Sequence, residues 1–489
     1  MSSSESFYWH DYETSGAEVS VDRPVQFAGV RTDLDFNPIG EPLVVFSRPT
    51  PDYLPHPTAV RITAISPLVA RAQGLPECEF IHRIHDELAQ PGTCGVGYNS
   101  IRFDDEITRY TLYRNFFEPY AREFGAGRSR WDLMDPARAI YALRPAGIEW
   151  PQREDGYTSF RLEELSAANG IEHSAAHDAL SDVYATIGLA SVLKRAQPAL
   201  FDAMFSMRSK QAVAMLLNPQ AMKPVIHVSG MFGASRSNLA MIVPLAEHPT
   251  NRNEVICADL SLAPDFLLEP AADVRARLFA SQADLSPGQV RPPLKTIKIN
   301  RAPVVLPAEW VAGEPAERLG LDGAQHRASL AALRGARNAD PAGFTQFIQS
   351  LYSERQFPKR EDPDSQLYDG FFDRSDTALF QKIRTADPES LRDQGWVFKD
   401  PRLPELLFRY RARNYPDTLT EDETLRWLEH CQSKLSDPNG FGFAQFQVEL
   451  SSEMALPNLA EKQRLALVDL TRYAQELAAA LNSAGAEPQ

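Results

Sequence analysis

Two carboxylates two residues apart stand near the start of the chain, in Phe7-Tyr8-Trp9-His10-Asp11-Tyr12-Glu13-Thr14. Side chains at i and i+2 of an extended strand share a face, so Asp11 and Glu13 would stand side by side, about 7 Å apart at Cα. Hard oxygen donors in that posture suit a divalent cation. The pair alone is a weak signal, because D-x-E triplets recur by chance in a chain of ordinary acidity: Asp104-Asp105-Glu106 and Asp387-Pro388-Glu389 are two more. Its meaning depends on partners elsewhere. Asp104, in Asn99-Ser-Ile-Arg-Phe103-Asp104, puts an acid at a strand-to-helix connection, and His177-Asp178-Ala-Leu-Ser-Asp182 adds a histidine and another acid. The imidazole titrates near neutral pH and can act as a base.

The elements that must position these groups follow from periodicity and punctuation. Phe7–Tyr12, Val25–Thr32 and Leu43–Ser47 read as strands separated by Asp22-Arg-Pro24 and Asn37-Pro-Ile-Gly40. Helical period appears at Pro67–Gln73 and Glu77–Ala89, then an apolar strand at Cys94–Tyr98 and a helix at Phe103–Phe117. This alternation predicts an α/β layer with a mixed sheet. Ser159 is the expected N-cap of a helix that stops near Asn169-Gly170. The next helix is expected to start around Ala175 and to pack Ala179, Val183, Thr186, Ile187 and Ala190 on the sheet. His177 and Asp182 would flank a common point from adjacent turns of it, about 140° apart by the 3.6-residue period.

From Pro198 the character changes to strands and turns, as in Leu216-Leu-Asn-Pro219, Val225-Ile-His-Val228 and Leu294–Ile299, with helical excursions at Pro270–Ser281 and Ala324–Arg337. Gln356–Asp364, rich in proline and charge, reads as a linker. Beyond it Ser375–Thr385, Arg402–Asn414, Glu421–Leu435 and Ala460–Leu481 are helical in period. The boundaries are therefore placed at 1–197, 198–355 and 356–489: an α/β domain, a β-rich domain and an α-helical domain.

A chain of 489 residues with 43% hydrophobic content can bury more than one core. No run of eighteen apolar residues appears, and Met1-Ser-Ser-Ser-Glu5 lacks the features of a secretory signal, so no membrane association and a cytoplasmic location are expected. Cys78, Cys94, Cys257 and Cys431 form no C-x-x-C and read as reduced thiols. The net charge of −15 argues against a uniform polyanion-binding coat, yet Arg109 to Arg144 carries seven arginines against four acids. From Ala203 to Arg301 there are eleven Lys plus Arg against seven acids.

Taken together, D-x-E, then D, then H-x4-D resembles the DEDD superfamily of 3′-to-5′ exonucleases, in the branch whose fifth residue is histidine. That resemblance implies a ribonuclease H-like fold and phosphodiester hydrolysis with two divalent ions about 3.5 to 4 Å apart. Oxygen ligands with positions left for water and substrate point to Mg2+, with Mn2+ able to substitute. On this reading Asp11 bridges the ions, Glu13 and Asp182 complete one, Asp104 holds the second, and His177 is the general base. The match extends further. His10-Asp-Tyr-Glu-Thr14, Gly97-Tyr-Asn-Ser-Ile-Arg-Phe-Asp-Asp-Glu106, Ser129-Arg-Trp-Asp-Leu133, Ser159-Phe-Arg-Leu162, Gly170-Ile-Glu-His-Ser174 with Ala176-His-Asp178, Met222-Lys-Pro224, His227-Val-Ser-Gly-Met-Phe-Gly233, Gln366-Leu-Tyr368, Gly370-Phe-Phe372 and Tyr410-Arg-Ala-Arg-Asn414 are similar to bacterial exonuclease I. This family degrades single-stranded DNA in repair and recombination, processively and to 5′ mononucleotides. Its architecture implies an exonuclease domain, an SH3-like β domain and an α-helical domain around a groove for one strand.

Basic residues between Arg109 and Arg144 interleave with Tyr110, Tyr113, Phe116, Phe117, Tyr120, Phe124, Trp131 and Tyr141. Guanidinium groups hold phosphates and aromatic faces stack bases, whatever their sequence. Most aromatics in a helical stretch are core, so two or three of the eight are expected to touch DNA. The resemblance favours Arg109, Tyr120, Phe124 and Arg138 for the strand, Arg161 for a phosphate beside the scissile bond, and Glu13 and Thr14 for the terminal nucleotide. Lys223, Lys295 and Lys298 are further backbone candidates. The family also implies a partner, the acidic C-terminal tail of the single-stranded-DNA-binding protein, for which Arg144 and Lys223 are rim candidates; Ala203 stands where an aromatic pocket wall is expected. A monomer is expected. Two alternatives stay open: a DEDD exonuclease for RNA 3′ ends, and a non-catalytic single-strand binding module.

Overall fold

The computed structural model describes residues 5–173, 178–281, 283–286, 288–353, 359–392 and 395–484. It divides into two compact units, one of residues 1–129, 173–184 and 359–489, the other of residues 130–172 and 185–358.

The first unit opens with β1 (Ser6–Thr14), β2 (Pro24–Thr32) and β3 (Leu43–Phe46), the strands expected from the aromatic and β-branched runs. Helices α1 (Pro57–Thr63), α2 (Pro67–Gln73) and α3 (Glu77–Leu88) follow, then β4 (Thr93–Gly97) and α4 (Asp104–Arg114). Ser66 caps α2 by accepting from the backbone N–H groups of Leu68 and Val69, with Pro67 at the first helical position. Strand β1 pairs antiparallel with β2 and parallel with β4, so the sheet is mixed as expected. Tyr8, Tyr12 and Phe27 from the strands pack with Phe80, Ile81, Ile84 and Leu88 of α3 and with Ile107 and Leu112 of α4. Burying these large side chains is the main force holding the helices on the sheet.

In the other unit come β5 (Ser129–Asp132), α5 (Met134–Leu143), α6 (Leu162–Ala168) and α7 (Ala179–Ala196), the last of which begins in the first unit. Then follow α8 (Pro198–Ser206), α9 (Lys210–Leu216), β6 (Val225–Val228), β7 (Leu239–Glu247), β8 (Glu254–Asp259), α10 (Ala271–Phe279), β9 (Leu294–Lys298), β10 (Val304–Pro307), α11 (Glu314–Arg318), α12 (Gly323–Ala339) and α13 (Pro341–Ser350). The strands make an antiparallel sheet in the order β10-β6-β7-β8-β9. One core joins Val213 and Leu217 to Val225, Ile242, Cys257 and Val305; another sets Val243, Ile256 and Ala258 against Leu333, Phe344 and Ile348.

The chain then returns to the first unit as α14 (Arg374–Thr385), α15 (Leu403–Asn414), α16 (Glu421–Ser436), α17 (Phe443–Met454) and α18 (Glu461–Ala484). Thr420 and Glu423 form a capping box at the start of α16. Arg413 of α15 is buried between Asp52 and Asp364, with Arg409 and Arg23 on the same carboxylates.

Two expectations need correction, at Ser159 and at Asp364. Ser159 does not cap α6: its N–H bonds Pro151 O and its hydroxyl accepts from Arg161 N, so a turn consumes it and the helix starts at Leu162. The next helix is described from Ala179, with the Asp178 carboxylate accepting from Ser181 N; the expected start around Ala175 lies outside the described residues. In Leu216-Leu-Asn-Pro219 only Leu216 belongs to a helix, the last residue of α9, which Ser209 caps; a turn follows it, as expected. Asp364, assigned to a linker, is 2% exposed, because the arginine cluster draws it inward. Helix α17 was not foreseen, since Phe446 and Leu450 are the only members of its face buried deeply.

Candidate active site at the end of strand β1

Strand β4 stops at Gly97, where a Cβ would come within 2.6 Å of Ser100. Its register with β1 runs from Ser6 opposite Thr93 to Trp9 opposite Val96. Asp11 and Glu13 therefore project from the part of β1 that outruns its parallel neighbour, the kind of crevice where ligands bind α/β sheets. On the other side β2 continues, setting Ala28 opposite Asp11 and Gln26 opposite Glu13. The chain leaves β4 through Asn99, at φ 62°, and starts α4 with Asp104. The Tyr12 N–H, beyond the end of β4, donates to Asp104 Oδ1 at 3.1 Å, which ties the third carboxylate to the strand carrying the first two. Thr108 bonds the Tyr12 hydroxyl at 3.0 Å and closes the same corner.

Asp182 comes from the first turn of α7. Ligand oxygens of Asp11, Glu13 and Asp182 all lie within 4.8 Å of one another. Asp104 stands outside that group of three but acts on it through its charge. Burial raises the Glu13 carboxyl to about 9, and the charges of Asp182, Asp104 and Asp178 add to the effect. Asp11 is likewise pushed well up, first by burial and then by Asp104, Glu13 and Asp182. Each carboxylate in the cluster raises the cost of ionising the others, a cost that a divalent cation would offset. The donor set is all hard oxygen, which fits Mg2+ or Mn2+.

His177, the expected base, lies outside the described residues. His10 points to the opposite face of β1 from Asp11. It is buried, its Nε2 3.9 Å from Asp105 Oδ1, and burial with the Arg122 charge lowers it to about 4. Arg122 is itself paired with Asp105 at 2.6 Å. His173 is a histidine that the sequence reading passed over: its Nε2 lies 2.5 Å from Asp182 Oδ1. The signal for it in the sequence is the motif Gly170-Ile-Glu-His173.

The other proposed contacts fall in both units. In the first, Thr14 is buried, its hydroxyl donating to Gly16 O at 2.7 Å. Arg109 is buried and held by Glu123, at 2.6 and 2.7 Å, and by Glu106 at 2.8 Å. Its guanidinium lies 5.3 Å from the Tyr120 ring, which meets Phe371 edge-on. Tyr368 bonds both Arg109 and Glu106. Phe124 is 62% exposed, whereas Tyr110, Tyr113, Phe116, Phe117 and Trp131 are buried core. In the second unit Arg138 pairs with Asp135 at 2.7 Å and faces Phe160, and Arg161 is an exposed side chain 3.7 Å from Glu164. Arg144 and Lys223 converge on one turn: Arg144 bonds Trp310 O and faces its ring, while Lys223 reaches Glu309 at 3.9 Å. Lys295 lies over the Phe232 ring and Lys298 is 3.7 Å from Glu254.

Three family models match the chain in succession. Residues 8–190 match the family described as Exonuclease, 208–354 the Exonuclease I SH3-like domain and 361–477 the Exonuclease I C-terminal domain. The chain is 44% identical to exodeoxyribonuclease I of Escherichia coli K12 over 474 residues, 96% of this chain and 98% of that protein. It is 46% identical to exodeoxyribonuclease I of Haemophilus influenzae over 433 residues, 88% and 90% of the two. Among solved structures, E. coli exonuclease I in complex with a dA16 oligonucleotide superposes with a TM-score of 0.92 at 44% identity, covering 97% of this chain and all of that one. The zinc-bound E. coli exonuclease I–ssDNA complex gives 0.91 at 43%, and the SSB/exonuclease I structure with inhibitor CFAM gives 0.88 at 43%, with the same coverages.

Proposed function

From the membership of this chain in the exodeoxyribonuclease I family, which makes it an exonuclease built of exonuclease, SH3-like and helical C-terminal domains, we propose that it hydrolyses single-stranded DNA from the 3′ end to 5′ mononucleotides. The observation that carries this reading is the meeting of Asp11, Glu13 and Asp182 within 4.8 Å. Asp11, Glu13, Asp104 and Asp182 would hold the ions. Divalent ions bound there, Mg2+ with Mn2+ as substitute, supply the charge neutralisation and the activation of water that phosphodiester hydrolysis needs. The zinc-bound E. coli exonuclease I–ssDNA complex supports the binding of a metal.

The chain's own groups do the rest. Glu13 and Thr14 at the end of β1 face the terminal nucleotide, and the buried Thr14 hydroxyl, anchored on Gly16 O, keeps that end of the strand in one geometry. His177 takes the proton from the attacking water. Arg161, exposed beside α6, contacts the phosphate next to the scissile bond. Tyr120 and Phe124 stack bases, with Arg109 fixing Tyr120 from behind and Arg138 and Lys223 holding phosphates. Arg144 and Lys223, which both meet the Glu309-Trp310 turn, also form the rim that receives the acidic tail of the single-stranded-DNA-binding protein, a reading supported by the SSB complex of a relative.

We assign residues 1–197, 198–355 and 356–489 to the three domains, and place the enzyme in the cytoplasm as a monomer acting in DNA repair and recombination. No described helix is long and apolar enough to cross a membrane. The test is parallel digestion of 5′-labelled DNA and RNA oligomers of one sequence with Mg2+. DNA is expected to shorten from the 3′ end faster than RNA; faster loss of RNA, or full DNA hydrolysis by Asp182→Ala at saturating metal, overturns the assignment.

A further inference from the structure

The two aromatic residues proposed to stack bases flank a single turn of 3₁₀ helix, Ala121–Glu123, with Tyr120 before it and Phe124 after it. A turn this short has little stability of its own. Its backbone bond from Glu123 N to Tyr120 O, 2.9 Å, fixes its shape, and two ion pairs fasten it to α4. The Arg122 guanidinium donates to Asp105 Oδ1 at 2.6 Å, and the Glu123 carboxylate accepts from Nε and Nη2 of Arg109 at 2.6 and 2.7 Å. Asp105 and Arg109 are one helical turn apart, so adjacent residues of the 3₁₀ turn grip neighbouring steps on one side of α4. The Arg122 and Asp105 side chains are 1% and 2% exposed, so salt screens their bond far less than a surface pair. Arg122 also reaches strand β4, where its Nη1 lies 3.6 Å from the place a Cβ on Gly95 would take.

We propose that Arg122 is a positioning residue for the single-stranded substrate: by binding Asp105, next to Asp104, it sets the rings of Tyr120 and Phe124 in register with the carboxylate site. Asp104 is itself tied to β1 by the Tyr12 N–H, so one buried ion pair joins the first turn of α4 to the segment that carries the exposed Phe124 ring. A ring held in place before the strand arrives stacks at once. A ring on a loose turn must be ordered by the strand, and that ordering is subtracted from the affinity. Glu123 acts alike through Arg109, whose guanidinium also lies 5.3 Å from the Tyr120 ring. This inference rests on the stacking role proposed above.

The experiment measures binding of a labelled oligothymidine to the full-length protein in EDTA, by fluorescence anisotropy. Arg122→Met combined with Asp105→Asn removes both charges together, so no buried ion is stranded and the fold should survive, with Tm close to wild type. The expected affinity of this pair is about tenfold below wild type, as in Phe124→Ala, and adding F124A to it should weaken binding by no more than about a further twofold, because a misplaced ring has little left to lose. Arg122→Lys, which keeps a cation for Asp105 without the planar fork, should bind about threefold more weakly than wild type. Wild-type affinity in R122M/D105N beside a weakened F124A overturns this inference alone, and so does a full further tenfold loss when the three substitutions are combined. Should R122M/D105N not fold, R122K decides: a loss supports the inference and wild-type affinity overturns it. Wild-type affinity in F124A overturns the stacking role beneath it.

Discussion

Replacing Asp182 by asparagine should make the metal-free protein more stable and the enzyme inactive. The ligand oxygens of Asp11, Glu13 and Asp182 lie within 4.8 Å of one another. Two unit charges at that separation repel by about 3.5 kcal/mol at an effective dielectric of about 20. Part of this is already relieved, because Glu13 is raised to about 9 and is mostly protonated at neutral pH. Removing the Asp182 charge should therefore stabilise the metal-free fold by about 1 to 2 kcal/mol, a rise in Tm of about 2 to 4 °C for each kcal/mol. Asparagine keeps an oxygen for His173 to bond, so that hydrogen bond is retained. Saturating Mg2+ should reverse the order, since a ligand at a hundred times its Kd stabilises the wild type by about 2.7 kcal/mol and the variant by far less. Hydrolysis should fall by about a thousandfold, the equivalent of several kcal/mol of charge stabilisation. Thermal unfolding in EDTA and in Mg2+, beside a single-strand digestion assay, measures all three. A metal-free Tm that falls in the variant, or a Mg2+ shift equal to that of the wild type, refutes the reasoning.

Other outcomes follow from the same physical arguments. Arg413→Met strands the buried Asp52 and Asp364 with fewer cations and should cost about 3 to 5 kcal/mol in urea unfolding. Burial opposes ionisation of Asp52 and Asp364, but Arg413 first, with Lys434 or Arg23 beside it, outweighs burial and holds both well below the usual carboxylate range. Their folded pKa values are depressed, so the stability they contribute is present above their unfolded value of about 4 and is lost as pH falls through the folded values. An acid titration followed by circular dichroism should show that loss, and Asp52→Asn should flatten it. Phe124→Ala removes an exposed ring, so Tm should not move while single-strand affinity, read by fluorescence anisotropy in EDTA, drops about tenfold.

Much of the proposed carboxylate set was legible because its members are polar residues where periodicity wants something else. Asp11 and Glu13 interrupt an aromatic strand, and Asp104 opens a helix. The aromatic stretch from Tyr110 to Tyr141 was harder to read, since a stacking ring and a core ring are the same residue in sequence. Burial separated them, leaving Phe124 exposed and Tyr120 and Tyr141 partly so. Arg109 shows the same limit for charge: the sequence presents a cation, and the fold surrounds it with Glu106, Glu123 and Tyr368. Ser159 was misread as a cap because a serine before an apolar run is also what a turn requires.

Local chemistry is thus what the sequence by itself determined: which segments are strands or helices, where apolar faces lie, and which residues can ligate a cation. Those properties depend on neighbours within a few positions, so they are written in the chain at short range. The pairing of Asp182 with Asp11 and Glu13 within 4.8 Å, the bond from Tyr12 to Asp104, the hold of His173 on Asp182 and the ionic cluster of Arg413 with Asp52 and Asp364 join residues from 9 to 361 positions apart. Only the tertiary structure decided them. Their strength comes from exclusion of water and from distance in space, and neither exists until the chain has folded.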